Sequence, residues 1–444
     1  MTPPNTSERS ATSYQSAARG TRGASTVAVI GLTEVGLPLA ILAATRSFSV
    51  IAYDPDEITI AQLAAREAAF LTEEETAAFK KSDAIVLTAR ESDLKSAATF
   101  IICVPNPTRG GRPDFTALEA ACRVVGRVLK PGALVIVETT VYPGVCEEVV
   151  IPIIEKNSGL TKGDFLFAHC PERSDSGALR PDLASMPRVL GGRTPESTEE
   201  ALAIYKTLLD SDVIVVDSLK EAEAVKMLET SFRDINIAFV NELAMAFDKA
   251  NIDIINVINA ASTRPGYRAF YPGCGFSDDT LPADPYHLIR FGRQGSFEHR
   301  FLATARRIND GMPFFTVRVL ADALRQKRKS IKHSTIALLG LTARPDVPST
   351  EGSPALVIEN ALQKKGARVR TFDPHAIYAS TERTLEDAMS GVDAVVIATE
   401  HAAFCNLAPR DFEKAGIPIV IDGRNCLDKK AFQETRVLYR GIGR

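Results

Sequence analysis

No two of the chain's seven cysteines are spaced CxxC, and no charge of one sign predominates. The cysteines (103, 122, 146, 170, 274, 405 and 426) are scattered and odd in number. That pattern excludes a disulfide frame and offers no zinc-ligand spacing, so no metal is expected and a reducing cytoplasm fits best. Lys+Arg total 52 against 55 Asp+Glu, a net charge of −3 with no basic stripe, which excludes a general nucleic-acid binder. No apolar run reaches membrane-spanning length. The first 25 residues, rich in Ser, Thr, Ala and Arg, hold no apolar stretch of the secretory kind and are expected to form a disordered tail. What is present is 45% hydrophobic and 24% charged over 444 residues, a soluble globular composition too long for one core, so two or three domains are expected.

The ordered chain opens on Thr26-Val-Ala-Val-Ile-Gly31, an apolar run ending in glycine, followed by helical spacing from Leu37 to Thr45. Val50-Ile-Ala-Tyr-Asp54 then reads as a second strand ending in an acid. This is the layout of a dinucleotide-binding βαβ unit, in which Asp54 would meet the ribose hydroxyls. The turn is Gly31-Leu-Thr33-Glu34-Val35-Gly36. Thr33 therefore stands where GxGxxG has its middle glycine, whose missing side chain lets backbone approach a pyrophosphate. Two further apolar runs, Thr99–Val104 before Pro105 and Ala133–Glu138 before Thr139 and Thr140, end in turn residues. In a parallel sheet their carboxyl ends face the ligand.

From Ser218 to about Ala261 the pattern is helical with no Gly or Pro to break it, a length that suits a domain bridge or a dimer interface. The Gly/Pro-rich stretch Pro272–Leu288 reads as a rigid active-site loop. Helical Arg306–Pro313 and a basic linker, Arg325–Lys332, follow. A second α/β unit then begins, with strands expected at Thr335–Gly340, Arg368–Asp373, Asp393–Ala398 and Ile417–Asp422, and a helix from about Ser353 to Gly366.

In wording and order these segments resemble the UDP-glucose/GDP-mannose dehydrogenase family, nearest its bacterial UDP-N-acetylmannosamine and UDP-N-acetylglucosamine dehydrogenase branch. The matching motifs include Val104-Pro105, Thr139-Thr140-Val-Tyr-Pro-Gly144, Pro171-Glu172-Arg173, the helix Glu221–Glu242 and Asp422-Gly-Arg424-Asn425. The resemblance implies an α/β protein with two Rossmann-like doubly wound domains joined by a central helical domain. The expected boundaries are 26–210 for the dinucleotide-binding domain, 211–328 for the helical and dimerisation domain, and 329–444 for the nucleotide-sugar-binding domain. It implies NAD as cofactor, a nucleotide sugar as substrate and a homodimer, with no nucleic-acid or membrane partner.

It also assigns residues. Lys226, Asp284, Glu172 and Thr140 fall on catalytic positions. Cofactor contacts fall on Gly31, Thr33, Glu34, Val35, Gly36, Asp54, Val104, Pro105 and Thr139. Substrate contacts fall on Glu172, Arg173, Thr230, Tyr271, Gly273, Gly275, Arg344 and Arg424. Three positions depart from the family pattern. Thr280 occupies the place of the catalytic cysteine, with Ser277, Asp278 and Asp279 in place of Gly-Gly-His; Thr230 replaces an asparagine; and Glu351 replaces a cofactor-contacting arginine. Relatives oxidise a sugar C6 alcohol twice, passing through a thioester on that cysteine. Without the thiol, the expectation is one oxidation, or an oxidation with return of the hydride as in an epimerase, and weakened NAD binding. An ordinary two-step dehydrogenase with an unusual nucleophile, Thr280 or Cys274, and an inactive nucleotide-sugar or partner binder remain alternatives.

Overall fold

The computed structural model describes residues 26–68, 70–109, 112–173, 183–276 and 283–444. The tail at 1–25 and the expectations placed on Ser277, Asp278, Asp279 and Thr280 lie outside them.

Among the described residues, ten strands precede the helical region: β1 (Thr26–Ile30), β2 (Ser49–Tyr53), β3 (Ile85–Thr88), β4 (Thr99–Ile102), the short antiparallel pair β5 (Thr108–Arg109) and β6 (Arg112–Pro113), β7 (Leu134–Val137), β8 (Leu166–His169), β9 (Arg188–Gly192) and β10 (Val213–Val216). Eight of them form one sheet in the order β10-β9-β8-β7-β4-β1-β2-β3, parallel except between β8 and β9. β1, β4 and β7 are buried along nearly their whole length, as parallel strands covered on both faces must be. Strand order reverses between β1 and β4, and the crevice beyond their carboxyl ends is where an open α/β sheet binds ligands. β10 pairs with β9 beyond residue 210, so this sheet extends past the expected boundary, to Val216.

The second sheet holds β11 (Thr335–Leu339), β12 (Arg368–Phe372), β13 (Ala394–Ile397), β14 (Ile419–Asp422) and β15 (Leu438–Gly441), all parallel in the order β12-β11-β13-β14-β15. The fold is therefore α/β at both ends with helices between. No helix among the described residues is long and apolar enough to cross a membrane.

The central helix spans Leu219–Ala250, 32 residues, or about 48 Å at 1.5 Å per residue. Ser218 caps it by accepting the Glu221 amide. The expected continuation to Ala261 is broken. Asn251 turns left-handed at φ 54° and ψ 37°, and Asp253 caps a separate helix, Ile254–Ala261. Asparagine enters that region at little cost, so no glycine was needed to end the helix. A second long helix, Arg300–Gln326, runs through Pro313 and beyond the expected helical segment. Its Arg306 Nη1 reaches the fully buried Asp234 carboxylate at 2.5 Å, while Asn309 Nδ2 donates to Asp234 Oδ1 at 2.8 Å. The loop expected to run through Leu288 is helical from Ala283 to Gln294. Pro285 is tolerated there because a first-turn amide has no helical partner.

Candidate active site

The turn after β1 has the backbone of a dinucleotide cradle. Gly31 has φ +94°, and a Cβ on Gly36 would lie 1.9 Å from the Gly31 carbonyl oxygen, so both positions require glycine. Asp54, just past β2, accepts the Leu32 and Asp56 amides at 3.0 Å each, which ties the acid to the turn. Val104 closes the far wall: a Cβ on Gly31 would meet its Cγ1 at 2.9 Å. Thr139 Oγ1 donates to the Val104 carbonyl at 2.8 Å, and Asn106 Nδ2 donates to the Thr140 carbonyl at 2.8 Å, locking the turns after β4 and β7 together. Pro105 is exposed and Glu34 half-buried.

Thr33 is more than an obstruction. Its hydroxyl donates to the Cys103 carbonyl at 3.1 Å, while the amides of Val35 and Gly36 donate to it at 3.3 and 3.4 Å. Those amides open the helix Gly36–Thr45 and are the donors that such a turn offers to a phosphate. The residues thus fit a dinucleotide in Gly31, Gly36 and Asp54, while Thr33 supplies an internal occupant for the phosphate seat. Glu351 lies in an exposed turn ahead of the helix Pro354–Lys364.

Lys226 and Thr230 share one face of the central helix, as their spacing of four requires. Lys226 is only 7% exposed, and among the described residues no carboxylate or other acceptor is bonded to its ammonium group. Thr230 is equally buried and spends its proton on its own helix, donating to the Lys226 carbonyl at 2.9 Å. Asp284, 2% exposed, sits in the first turn of Ala283–Gln294, a helix packed against the central one.

Glu172, in the turn after β8, accepts Arg188 Nη2 at 2.5 Å and the Arg173 amide at 2.7 Å. Arg173 is itself engaged by Glu229 on the central helix and by the Pro187 carbonyl. Sequence reasoning missed Arg188, whose side chain is fully buried; a lone arginine opening an apolar strand gives no hint of partners 16 and 50 residues away.

Two expected substrate contacts have partners within the protein. Arg424 clamps the loop: Nε donates to the Ala398 carbonyl at 2.7 Å, Nη1 to the Gly275 carbonyl at 3.0 Å, and Glu400 pairs with it at 3.1 Å. Tyr271 is half exposed and turns its hydroxyl to Asn259. Gly273 donates its amide to Asn241 at 3.0 Å. Gly275, at φ +141°, leaves no room for a side chain against Pro354. Arg344 lies in the loop after β11, half-buried, and its carbonyl accepts the Thr342 hydroxyl. Cys274 is fully buried, with its thiol against the Ala398 carbonyl at 3.3 Å and its amide on the Gly423 carbonyl at 2.8 Å. It is a packing residue of the loop, not a mobile nucleophile. In the loops after β11, β12 and β13, Asp346, His375 and His401 bring donor atoms within 4.8 Å of one another. Both His401 nitrogens are already engaged, Nδ1 by the Asp346 amide at 3.0 Å and Nε2 by Asp373 at 3.0 Å.

One turn beyond Asp284, His287 is fully buried, with its ring 6.3 Å from that of Phe115 and 6.1 Å from that of Tyr142. Burial pushes its imidazole down from 6.5 to about 4. A depressed imidazole favours the unfolded chain in acid, because below the unfolded value only the unfolded state takes up the proton readily. Stability should therefore fall as pH drops from 6.5 toward 4, by roughly 2–3 kcal/mol from this group. His287→Phe, which keeps an aromatic ring there, should remove that part of the acid loss in denaturant unfolding at pH 7.5 and 4.5; an identical loss in the variant would contradict the assignment.

Comparison with known proteins agrees with this geometry. Three models of the UDP-glucose/GDP-mannose dehydrogenase family match in order: the NAD binding domain at residues 25–209, the central domain at 220–311 and the UDP binding domain at 337–429. The chain is 34% identical over 423 residues to the UDP-N-acetyl-D-mannosamine dehydrogenase of Pyrococcus horikoshii, covering 94% of this chain and 99% of the relative. It is 32% identical over 402 residues to the UDP-N-acetyl-D-glucosamine 6-dehydrogenase of Pseudomonas aeruginosa, covering 88% and 94%. The solved structure of the UDP-D-ManNAc dehydrogenase from Pyrococcus horikoshii superposes with a TM-score of 0.89 at 33% identity, over 94% of this chain and 99% of that one. The chain belongs to the UDP-glucose/GDP-mannose dehydrogenase family, and with it to the NAD-dependent oxidoreductases that act on the CH–OH group of a nucleotide sugar.

Proposed function

We propose that this family member removes one hydride from a UDP-sugar and stops at the carbonyl, or returns the hydride, instead of completing two oxidations. The carrying observation is the pairing of a retained first-step apparatus, Lys226 and Asp284, with a threonine, Thr280, at the sequence position of the family's cysteine. Lys226, largely buried on the same face of the central helix as Thr230, offers a positive charge to the alkoxide of a sugar hydroxyl losing its hydride. Asp284 is the base that receives the hydroxyl proton, directly or through water. NAD, when bound, accepts the hydride. Gly31, Gly36 and Asp54 hold it, and Thr139 and Thr140 line the neighbouring turn.

The second oxidation needs a nucleophile to capture the aldehyde. Cys274 is locked in packing, Cys103 and Cys170 are fully or almost fully buried beside the first sheet, and a threonine hydroxyl such as that of Thr280 stays protonated without an adjacent base. Thr230 compounds the change, because its hydroxyl proton is directed to its own helix and away from a developing oxyanion. Incubation of UDP-sugars with NAD, with NADH counted against product, tests the reading. The Thr33 cap favours a second reading, a nucleotide-sugar binder without turnover, which predicts UDP-sugar binding but no NADH.

The protein is further proposed to act as a homodimer in the cytoplasm. Leu228, Phe232 and Phe239 are exposed by 68%, 48% and 56%, and with half-buried Ile235 they stripe one face of the central helix at i, i+4, i+7 and i+11. Such an exposed apolar stripe suits a second copy of the same helix. Light scattering at micromolar protein should give the mass of two chains, and Phe239→Glu should shift it toward one. A single-chain mass for the unaltered protein would rule the dimer out.

A further inference from the structure

Behind Glu172 lies a chain of buried polar groups that the proposed chemistry leaves unexplained. Tyr205, on the helix Pro195–Leu208, donates its hydroxyl to Glu138 Oε1 at 2.5 Å; Glu138 follows β7 directly. Glu138 Oε2 faces Arg188 Nη1 at 3.5 Å, and Arg188 Nη2 holds Glu172 Oε2 at 2.5 Å. The Pro171 carbonyl also accepts from Nη1, at 3.4 Å. Tyr205, Glu138 and Arg188 are fully buried and Glu172 is 7% exposed, so the array opens toward the site only at Glu172. Two carboxylates thus share one guanidinium in an interior where an unbalanced charge is costly.

We propose that Arg188 is a positioning residue for Glu172 and that Glu138 acts through it: with Glu138 protonated the guanidinium belongs to Glu172, and when Glu138 loses its proton the guanidinium is divided and its hold on Glu172 loosens. This rests on the reading of Glu172 as a catalytic and substrate-contacting residue. Burial pushes the Glu138 carboxyl up to about 7, opposed by Arg188, reinforced by Glu172 and moderated by the Tyr205 hydroxyl. The remaining titratable neighbours, the Cys103 and Cys170 thiols, are pushed up by burial and stay neutral. The device therefore operates around neutral pH, between a firmly held and a loosened Glu172.

Carboxyl-carbon NMR of protein labelled at glutamate tests this without relying on turnover, the Glu172 signal being identified by its loss in Glu172→Gln. The Glu172 signal should move with a midpoint near neutrality, and the movement should vanish in Glu138→Gln. Tyr205→Phe, which removes a donor to the charged form of Glu138, should raise the midpoint by about 0.5–1 unit. A Glu172 signal that is flat from pH 6 to 8, or a movement that persists in Glu138→Gln, would overturn the proposal. If Glu138→Gln does not fold, an unmoved midpoint in Tyr205→Phe overturns it. Should the array titrate as described while no UDP-sugar is oxidised, the assigned reaction fails and the coupling stands.

Discussion

Lys226→Met is expected to lower the rate of NADH formation by about 10²–10³-fold, the loss typical of deleting one group that stabilises a developing oxyanion. Lys226 is 7% exposed on the central helix, and a methionine of similar length keeps the packing of its stem while removing the charge that meets the alkoxide. Activity from stopped-flow absorbance should fall while unfolding by calorimetry changes little. A variant that loses stability along with activity would mean that Lys226 holds the fold.

The second large effect is on cofactor affinity. Thr33→Gly frees the amides of Val35 and Gly36, now given to the threonine hydroxyl, and clears the approach of a pyrophosphate to the turn. NAD should bind about tenfold more tightly, a gain of roughly 1.4 kcal/mol, with a further gain when Glu351→Arg adds a positive charge. Thr33→Ala and Thr33→Ser divide the effect: alanine relieves the cap and keeps the Cβ, while serine keeps the hydroxyl and sheds the methyl. Calorimetric titration with NAD that shows equal affinities across the series would remove Thr33 from the account.

Sequence and structure agree most closely where local pattern and burial coincide. β1, β4 and β7 were visible as apolar runs, and Asp54 as an acid at a strand end, because both follow from a parallel sheet covered on two faces. The end of the central helix at Asn251 was not visible, since an asparagine in left-handed conformation leaves no gap in a helical pattern. β10 was missed because Ile214 and Val215, at an exposed edge, lack the burial contrast of an interior strand. Arg424 illustrates a different limit: a motif located the residue at the carboxyl edge of β14, but whether its guanidinium faces a ligand or clamps Gly275 depends on tertiary packing. The Arg188–Glu138 pair had no local signature at all, because its logic is an exchange of charge between distant segments.

The central claim, that the missing thiol limits this enzyme to one hydride, is tested most directly by the ratio of NADH formed to UDP-sugar consumed, with the product identified by mass spectrometry. At most one NADH per sugar and a carbonyl or epimerised product are expected. Two NADH per sugar with a uronate product, unchanged by Thr280→Ala, would contradict it; the same outcome abolished by Thr280→Ala would also contradict it and would make Thr280 the nucleophile.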